Sequence, residues 1–392
     1  MNKYPELSGN IIIDKEEDNR LSSFYYDVKD GNYKVVGECI YDLLEYPDNS
    51  WIFTGRRQLL GAYTGMKGKC SFEGMVHVGR YIPRGASQAY KEKLSVNVIS
   101  QFLSVRNISI EKIVSPTIHI AGDSTVTDQP SGLPYNPLEC YSGWGQMLPF
   151  FLGNGFAVAN HAQSGLSTES FRKEGHYKIM LDELNRGDYV LIQFAHNDQK
   201  IPHLGAKDGY YDNINRYIDE LTDRGVNPIL VTPLARNTWC KNIYNDLLEI
   251  HADAVREIGQ ERDVPVIDLH RETVKKIKEY GYDKAAIYYH EGDLTHTNDL
   301  GAFKAAKIVA GELIERLENR GDRYSKLFSA IRRDRIDNSE TEKVLNEYVV
   351  KRNDETEKTD SSLNNEHDED IVPADLTGPS SWRIDDRGII IQ

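Results

Sequence analysis

The alternation of short apolar runs with longer amphipathic segments over residues 115–320 restricts the fold more than any other feature of the chain. Strands that alternate with helices are typical of a parallel sheet covered by helices. Five strands favour a flavodoxin-like α/β domain with three layers and a five-stranded parallel sheet. The predicted strands are 117–121, 156–160, 188–194, 228–232 and 264–268, and the predicted helices are 143–152, 177–185, 210–224, 242–262, 270–280 and 299–319.

The first predicted strand of this sheet leads into Gly122, Asp123 and Ser124. Gly122 allows a sharp turn, and residues at the carboxyl ends of parallel strands face the crevice in which ligands bind. The third predicted strand is followed by Asn197, so a flavodoxin-like sheet brings Ser124 and Asn197 out at the same switch point. Gly-Asp-Ser is also ordinary turn chemistry, and by itself it does not establish a nucleophile.

Four blocks that contain Ser124, Gly165, Asn197 and His296 follow one another along the chain. In this order they resemble the signature of the GDSL, or SGNH, hydrolase superfamily. Over about residues 116–318 the likeness is closer, to rhamnogalacturonan acetylesterases. The residues that carry it are Gly122-Asp123-Ser124-Thr125-Val126, Gly143-Trp144-Gly145-Gln146, the Gly-x-Ser-x-x-Ser-Phe run ending at Phe171, Gln193-Phe194 before His196-Asn197-Asp198, and Thr295-His296-x-Asn298.

The resemblance implies a serine nucleophile, and the spacing of Asp293 and His296 fits the chemistry that such a nucleophile needs. A serine hydroxyl becomes a good nucleophile only when a base removes its proton and a third group orients that base. With three residues between them in sequence number, one turn of backbone allows Asp293 to reach Nδ1 of His296 and leaves Nε2 to face Ser124. Taken singly, His296 could be a histidine at a helix N-terminus and Asp293 a turn residue.

The family also implies an oxyanion hole formed by the backbone N–H groups of Ser124 and Gly165 and by the side-chain amide of Asn197. A Cβ at Gly165 is expected to crowd the acyl group, although a turn glycine would read the same way. The chain departs from the family in two places: Ala195 replaces the glycine of the Gly-x-Asn-Asp block, and Leu166 stands where arginine is common. The first change is expected to narrow the acyl pocket, and the second removes a charge that could meet an acidic sugar.

Several aromatic rings near these blocks are candidates for contact with the substrate. We predict this role for His196, Trp144 and Tyr289, although a packed core position is the favoured interpretation of Trp144. His119 and His161 lie in or beside strands and are interpreted as packed side chains rather than catalytic groups. No cluster in the sequence has metal-ligand spacing, and this hydrolytic route needs no cofactor, so neither a metal nor a cofactor is predicted.

Residues 1–114 contain many short β-prone runs with polar breaks, which predicts a small all-β sandwich or jelly roll. A hairpin is expected between Phe24–Val28 and Tyr33–Ile40, around the turn at Lys29–Asn32. Trp51, Tyr63 and Tyr81 could form a carbohydrate-stacking face, or they could simply pack in the core.

The predicted catalytic domain spans residues 115–320, and the remainder, 321–392, is predicted to be a helical and then acidic tail. Residues 343–350 fit one amphipathic helix. The charged stretch 353–370 has few apolar groups and is expected to be disordered. The apolar end, 381–391, could dock as a strand on the body or on a neighbouring molecule.

Composition limits the partners and the compartment. The chain has 392 residues and a formal net charge of -14, which argues against nucleic acid and against an anionic membrane surface. The four cysteines, Cys39, Cys70, Cys140 and Cys240, show no C-x-x-C pair, so a redox motif or a disulfide framework is not expected. The N-terminus lacks the apolar region of a secretory signal, and no stretch is long enough to span a membrane, which predicts a cytoplasmic protein.

These features together predict a serine esterase that removes acetyl groups from a plant cell-wall glycan, with rhamnogalacturonan as the first choice. Two alternatives remain open. One keeps the same chemistry on xylan, on a small ester or on a lipid, and the other is a non-catalytic carbohydrate-binding protein. The sequence assigns no oligomeric state and no partner beyond the acetylated carbohydrate.

Overall fold

The computed structural model describes residues 10–14, 21–41, 49–64, 68–100, 103–153, 155–337 and 339–359, together with the short segments 370–371, 383–384 and 390–391. The first ten strands lie before residue 114. They are β1 (Asn10–Asp14), β2 (Leu21–Tyr26), β3 (Gly31–Tyr41), β4 (Asn49–Thr54), β5 (Gln58–Thr64), β6 (Gly68–Val78), β7 (Arg80–Tyr81), β8 (Tyr90–Lys91), β9 (Leu94–Ile99) and β10 (Leu103–Ile113).

Two antiparallel sheets built from these strands form the N-terminal sandwich. One sheet has the order β1-β2-β9-β4-β5, the other has the order β10-β3-β6, and β7 pairs separately with β8. Side chains from both sheets meet in one buried cluster that includes Val35, Ile52, Leu60, Val76 and Val96. Apolar residues that point inwards from two facing sheets are what stabilises a β-sandwich.

The prediction of a hairpin between residues 24–28 and 33–40 is wrong. β2 pairs with β1 and β9, whereas β3 pairs with β6 and β10, so the two strands belong to different sheets. The turn before Gly31, whose φ is +137°, carries the chain from one sheet to the other. Local turn chemistry could not identify the partner of each strand.

The second half of the fold is the predicted parallel sheet with helices on both faces. Its strands are β11 (Thr117–Gly122), β12 (Ala157–Asn160), β13 (Tyr189–Gln193), β14 (Asn227–Val231) and β17 (Val266–Ile267), and a small hairpin is formed by β15 (Trp239–Cys240) and β16 (Ile243–Tyr244). The sheet has the order β12-β11-β13-β14-β17, with every neighbouring pair parallel, which is the flavodoxin-like order and confirms the predicted fold class.

The helices that cover the sheet correspond to the predicted ones, with three differences. A 3₁₀ turn over Leu148–Phe151, with Pro149 as its second residue, splits the helix predicted over 143–152. The hairpin β15–β16 delays the start of the helix predicted over 242–262, and the helix predicted over 270–280 continues to Ala286 with a kink at Gly281. The helices are α1 (Trp144–Met147), α2 (Ser170–Lys173), α3 (His176–Glu183), α4 (Gly209–Asp223), α5 (Glu249–Glu261), α6 (Leu269–Ala286) and α7 (Asp299–Leu317), with further 3₁₀ turns at Asp198–Lys200 and Pro202–Leu204.

The sandwich and the parallel sheet share one hydrophobic core. Trp51 and Phe53 of the sandwich are buried against Tyr135, with the Trp51 and Tyr135 ring centroids 5.2 Å apart. Arg57 also forms an ion pair of 2.6 Å with the buried carboxylate of Asp299. Trp51 is 2% exposed and therefore is not available as a carbohydrate-stacking side chain. The domain boundaries at 114 and 320 stay a prediction, because buried contacts are continuous across the first of them.

Three helices follow the α/β region: α8 (Asp322–Ala330), α9 (Arg333–Asp337) and α10 (Glu340–Thr359). The helix predicted over 343–350 lies within α10, which continues through the first residues of the stretch expected to be disordered. Residues 360–369 of that stretch, and most of the apolar end, lie outside the described residues. Three short strands complete the described part: β18 (Asp370–Ile371) pairs with β15, and β19 (Arg383–Ile384) pairs with β20 (Ile390–Ile391). Among the residues that the structure describes, no helix is both long enough and apolar enough to cross a membrane.

Candidate active site

Ser124 lies in the turn that follows β11, at the carboxyl edge of the parallel sheet. A Cβ on Gly122 would lie 2.9 Å from the backbone oxygen of Gln193 in the neighbouring strand, so only glycine fits where β11 ends. Asp123, which is fully buried, accepts hydrogen bonds from the backbone N–H and the hydroxyl of Thr125 at 2.9 and 2.8 Å. These contacts hold the turn and leave the Ser124 hydroxyl at the edge of the sheet.

The hydroxyl of Ser124 meets the imidazole of His296, 172 positions later in the chain. The distance from Ser124 Oγ to His296 Nε2 is 2.8 Å, and His296 Nδ1 lies 2.8 Å from Asp293 Oδ2. The other carboxylate oxygen of Asp293 accepts the backbone N–H groups of Thr295 and His296 at 2.7 and 2.9 Å. The three side chains therefore form one hydrogen-bonded chain in the order serine, histidine, aspartate.

The electrostatics of Asp293 favour the ionised form. Burial raises the pKa of a carboxyl group, but the hydrogen bond and the charge of His296 outweigh burial here and lower the pKa of Asp293 to about 2. An ionised carboxylate accepts the Nδ1 proton of His296. Nε2 is then left unprotonated and can accept a proton from Ser124.

The turn that carries Asp293 and His296 is fixed by Asn298, which caps the N-terminus of α7. The side-chain oxygen of Asn298 accepts the Gly301 N–H at 3.0 Å, as in an N-cap. Its amide nitrogen donates to the backbone oxygens of Ile287 and Tyr289 at 2.8 and 2.9 Å. Asn298 thus joins the start of α7 to the chain that precedes the turn and holds the imidazole in place.

Gly165 and Asn197 belong to the second and third signature blocks, and the two blocks are in contact. The Asn197 amide donates to the backbone oxygen of Leu166 at 3.0 Å, and Asp198 accepts the backbone N–H of Thr168 at 3.0 Å. Gly165 has a φ of +86°, which favours glycine. The backbone N–H groups of Ser124 and Gly165 have no hydrogen-bond acceptor among the described residues.

The backbone gives a reason for glycine at position 165 besides the expected crowding of the acyl group. A Cβ there would meet no protein atom within 4 Å, so within the protein it is the left-handed backbone that favours glycine. Leu166, at the position where arginine is common, is buried in the core beneath the site. Ala195 is fully buried and has a φ of +147°, a conformation that strains any residue with a Cβ. The positive φ therefore gives a backbone reason for the glycine that the family has at this position.

The three side chains predicted to touch the substrate are buried and bonded to the protein instead. The Trp144 indole donates to Gln193 Oε1 at 2.8 Å, the Tyr289 hydroxyl donates to the Ala235 oxygen at 2.9 Å, and His196 Nδ1 lies 3.1 Å from Asp123 Oδ2. With exposures of 0%, 4% and 1%, these rings support the site from below and have no surface to offer a sugar. A sequence pattern places a ring near a motif but does not say on which side it lies.

Two residues near the triad were not identified from the sequence. Arg236 follows β14, is 1% exposed, and donates to the hydroxyl of Thr295 and to the backbone oxygen of His196. Tyr141 is 40% exposed, stacks on His290 with centroids 3.8 Å apart, and lies edge-on to His296 at 5.9 Å. Arg236 could have been predicted from the sequence only as a charged residue that follows a parallel strand. For Tyr141, the adjacency to the Gly-Trp-Gly block was the only signal.

Comparison with known proteins gives the site its context. Residues 120–302 match the model of the GDSL-like Lipase/Acylhydrolase family. The rhamnogalacturonan acetylesterase RhgT of Bacillus subtilis (strain 168) is 35% identical over 216 residues, which are 51% of this chain and 90% of that protein. YesY, a probable rhamnogalacturonan acetylesterase of the same organism, is 30% identical over 201 residues, 49% of this chain and 90% of that protein.

A solved structure of the Bacillus subtilis protein YxiM has 20% sequence identity to the chain and a TM-score of 0.48, and it covers 82% of this chain and 93% of that one. The family match spans all four blocks, from the strand before Ser124 to the helix after His296. The chain belongs to the GDSL-like lipase/acylhydrolase family and is a carboxylic ester hydrolase.

Proposed function

We propose that the protein is an acetylesterase that removes acetyl groups from a plant cell-wall polysaccharide or its oligosaccharides, with rhamnogalacturonan as the preferred glycan. The observation that carries the proposal is the hydrogen-bonded chain of Ser124, His296 and Asp293, with 2.8 Å at each step. The names of the relatives RhgT and YesY support the choice of acetyl group and of glycan.

In the first half of the proposed reaction, Ser124 Oγ attacks the acetyl carbonyl carbon and His296 Nε2 takes the hydroxyl proton. The Asp293 carboxylate accepts the Nδ1 proton of His296 in a hydrogen bond and stabilises the imidazolium that forms. His296 then gives its Nε2 proton to the sugar oxygen. The bond between that oxygen and the carbonyl carbon breaks, and acetyl-Ser124 remains.

In the second half, a water molecule replaces the sugar. His296 Nε2 removes a proton from the water, whose oxygen attacks the acetyl carbon, and the returning proton restores the Ser124 hydroxyl as acetate leaves. Each tetrahedral intermediate places negative charge on the former carbonyl oxygen. Donors aimed at that oxygen are each worth about 10²–10³ in rate.

The proposed donors for this oxyanion are the backbone N–H groups of Ser124 and Gly165 and the amide of Asn197. Two observations support them: both backbone groups lack an acceptor among the described residues, and the Asn197 amide already lies on the Gly165–Leu166 loop at 3.0 Å from Leu166 oxygen. Because a Cβ on Gly165 would meet no protein atom within 4 Å, there is also space for an acetyl group on that side.

A short acyl group and a carbohydrate fit the surroundings of the triad better than a long acyl chain does. Long chains need a continuous apolar groove, whereas the segments around Ser124 present polar groups and one exposed aromatic ring, Tyr141. Sugar rings stack on exposed aromatic faces, and Tyr141 is held flat against His290 beside the imidazole of His296. We therefore assign Tyr141, in place of the three buried rings, to the sugar site.

The test is acetate release from a panel of acetylated pectic and xylan oligomers, together with acetyl and octanoyl esters of p-nitrophenol. Ser124→Ala should abolish turnover of every substrate, and Ser325→Ala, on an exposed turn of α8, should change nothing. Equal turnover by Ser124→Ala would remove Ser124 from the mechanism. Preference for acetylxylan or for the octanoyl ester would leave the mechanism intact and overturn the choice of substrate.

A further inference from the structure

A cluster of three histidines and a glutamate lies between the sandwich and the parallel sheet. His77 belongs to β6, His119 to β11, His161 follows β12, and Glu183 ends α3. His119 is fully buried and His161 is 5% exposed, whereas Glu183 borders a surface groove of about 920 Å³. We call these four residues the histidine cluster.

Three members of the histidine cluster, His119, His161 and Glu183, have ligand atoms close enough together to bind one metal ion. His119 Nδ1 and His161 Nε2 are 3.0 Å apart, and His161 Nε2 is 3.7 Å from Glu183 Oε2. One ligand atom from each of these three residues lies within 4.8 Å of both others. A tetrahedral Zn²⁺ with bonds of about 2.0–2.1 Å places its ligand atoms about 3.3–3.4 Å from each other.

The second nitrogen of His119 has the partner that a metal-binding histidine usually has. His119 Nε2 lies 3.5 Å from Asp188 Oδ2, beyond ordinary hydrogen-bond length. The carboxylate of Asp188 is itself fixed by the backbone N–H groups of Thr117 and Asn185 at 2.8 and 2.7 Å. The negative charge of this carboxylate favours a proton on Nε2 of His119, which leaves Nδ1 as a lone pair that faces His161.

An independent observation concerns His77 and Glu183. The amide nitrogen of Asn32 donates to Ser115 and Thr117, so Asn32 Oδ1 is an acceptor, and the Nδ1 of His77, 2.8 Å away, is the donor to it. In a neutral ring, His77 Nε2 is then an acceptor, and it lies 3.3 Å from the carboxylate oxygen Oε2 of Glu183. Two acceptors that face each other at this distance require a cation or a proton between them.

Glu183 has one oxygen to spare for such a cation. Its Oε1 accepts the backbone N–H of Arg80 at 2.6 Å, while Oε2 faces both His77 and His161. The neighbouring Gly79 leaves room: a Cβ there would lie 2.5 Å from His77 Nε2 and 2.7 Å from each oxygen of Glu183. Burial lowers the pKa of His119 and of His161, and neutral imidazole is the form of histidine that binds metals.

We propose that His119, His161 and Glu183 bind a divalent transition-metal ion, with His77 beside the fourth coordination position. Zn²⁺ is the ion that we propose, because two imidazoles and a carboxylate are ligands that it prefers. The donor set of two nitrogens and one oxygen excludes the all-oxygen sites typical of Ca²⁺ and Mg²⁺. The ion joins β11, the segment after β12 and the end of α3, and through His77 it reaches the sandwich. It therefore acts as a structural clamp between the two sheets, separate from ester hydrolysis.

The experiment uses the full chain without a purification tag, dialysed against a chelator and then against buffer. Isothermal titration with ZnCl₂ should give one ion per chain, the melting temperature should rise with added Zn²⁺, and Co²⁺ should give the visible absorption of a tetrahedral site. His161→Gln and Glu183→Gln should each weaken Zn²⁺ binding at least tenfold and abolish the rise in melting temperature.

Two controls separate this site from other histidine–carboxylate pairs. His203→Gln removes an exposed histidine that lies 3.2 Å from Glu169, and His270→Gln removes the centre of a second group of potential ligands, formed with Asp246 and Glu249. Both variants should bind Zn²⁺ as the unaltered protein does. If His161→Gln fails to fold, Zn²⁺ binding by the Glu183→Gln variant, whose substitution lies at the edge of the groove, tests the site instead. Absence of Zn²⁺ binding in the unaltered protein, undiminished binding in Glu183→Gln, or loss of binding in His270→Gln would each overturn the proposal.

Discussion

Replacing Asp293 by asparagine tests the orientation of His296, the proposed catalytic base, more sharply than replacing Asp293 by alanine. In Asp293, Oδ1 accepts two backbone N–H groups and Oδ2 accepts the Nδ1 proton of His296. In the asparagine variant the two backbone donors require an acceptor, so the carbonyl oxygen takes the place of Oδ1. The NH₂ group is then directed at Nδ1 and drives the His296 proton to Nε2.

A proton on Nε2 faces the Ser124 hydroxyl at 2.8 Å and prevents His296 from acting as a base. A wrong histidine tautomer of this kind costs about 10⁴ in kcat in a serine protease, which corresponds to about 5.4 kcal/mol of transition-state stabilisation. In Asp293→Ala, by contrast, no group enforces the wrong tautomer. Asp293 and His296 have side chains that are 21% and 33% exposed, so water reaches Nδ1 and accepts its proton. We expect a loss of about 10² for alanine, the low end for general-base catalysis.

The assay is kcat for acetate release, measured for both variants at the same pH, with Asp263→Asn as a control because its side chain is 94% exposed. The expected order of activity is Asp263→Asn equal to the unaltered enzyme, then Asp293→Ala, then Asp293→Asn at least tenfold lower still. An asparagine variant that is as active as the alanine variant would refute the tautomer argument. Full activity in both would remove Asp293 from the mechanism.

Three further predictions rest on other parts of the structure. Tyr141→Ala should raise KM for acetylated oligosaccharides about 2- to 10-fold and leave kcat unchanged, because it removes an exposed stacking face; an equal rise in KM for ethyl acetate would contradict this. Ala195→Gly should change the free energy of unfolding by less than about 1 kcal/mol, since relief of about 1–3 kcal/mol of strain at φ +147° offsets the lost methyl group and the added chain entropy. The matched change Ala121→Gly, in the regular strand β11, should lower the free energy of unfolding by about 1–2 kcal/mol. If urea denaturation showed equal losses in the two variants, the backbone of Ala195 would not be strained. Burial lowers the pKa of His270, but its hydrogen bonds to Asp246 and Glu249 outweigh burial and raise the pKa to about 9. His270→Gln should therefore lower the free energy of unfolding by about 1–2 kcal/mol at pH 6, allowing for the screening of half-exposed Glu249. The difference between the variant and the unaltered protein should vanish as the pH rises through about 9. A difference that persists at pH 10 would show that the charge of the histidine is not its cause.

The parallel sheet could be predicted because each of its strands is an apolar run whose burial does not depend on the identity of its neighbour. β11 and β13 are buried at every position, with alternate residues entering two separate cores on the two faces of the sheet. Pairing in the sandwich could not be predicted in this way. One partner of β2 is β9, about seventy residues away, and local turn residues carry no information about a contact of that range.

The site shows the same division between local and distant information. The blocks around Ser124 and His296 could be identified because the residues that characterise each block are close to one another in sequence. The contribution of Arg236 depends on contacts with Thr295 and with the backbone of His196, which are far from it in sequence. The histidine cluster is dispersed more widely still, over β6, β11, the segment after β12 and α3, and no spacing rule for metal ligands covers such an arrangement.

The signature blocks themselves mix residues that react with residues that hold the reacting ones. Trp144 donates to Gln193, whose amide donates at 2.7 Å to Thr125, and the Thr125 hydroxyl in turn donates to Asp123, so four motif residues form one chain beneath the nucleophile turn. None of the four touches the scissile bond in the proposed mechanism. A buried chain of this kind is stabilising only when every donor has its acceptor, so replacing one member leaves the others unsatisfied. Motif residues without a chemical role are therefore expected to be as intolerant of substitution as Ser124 itself, but through stability rather than turnover.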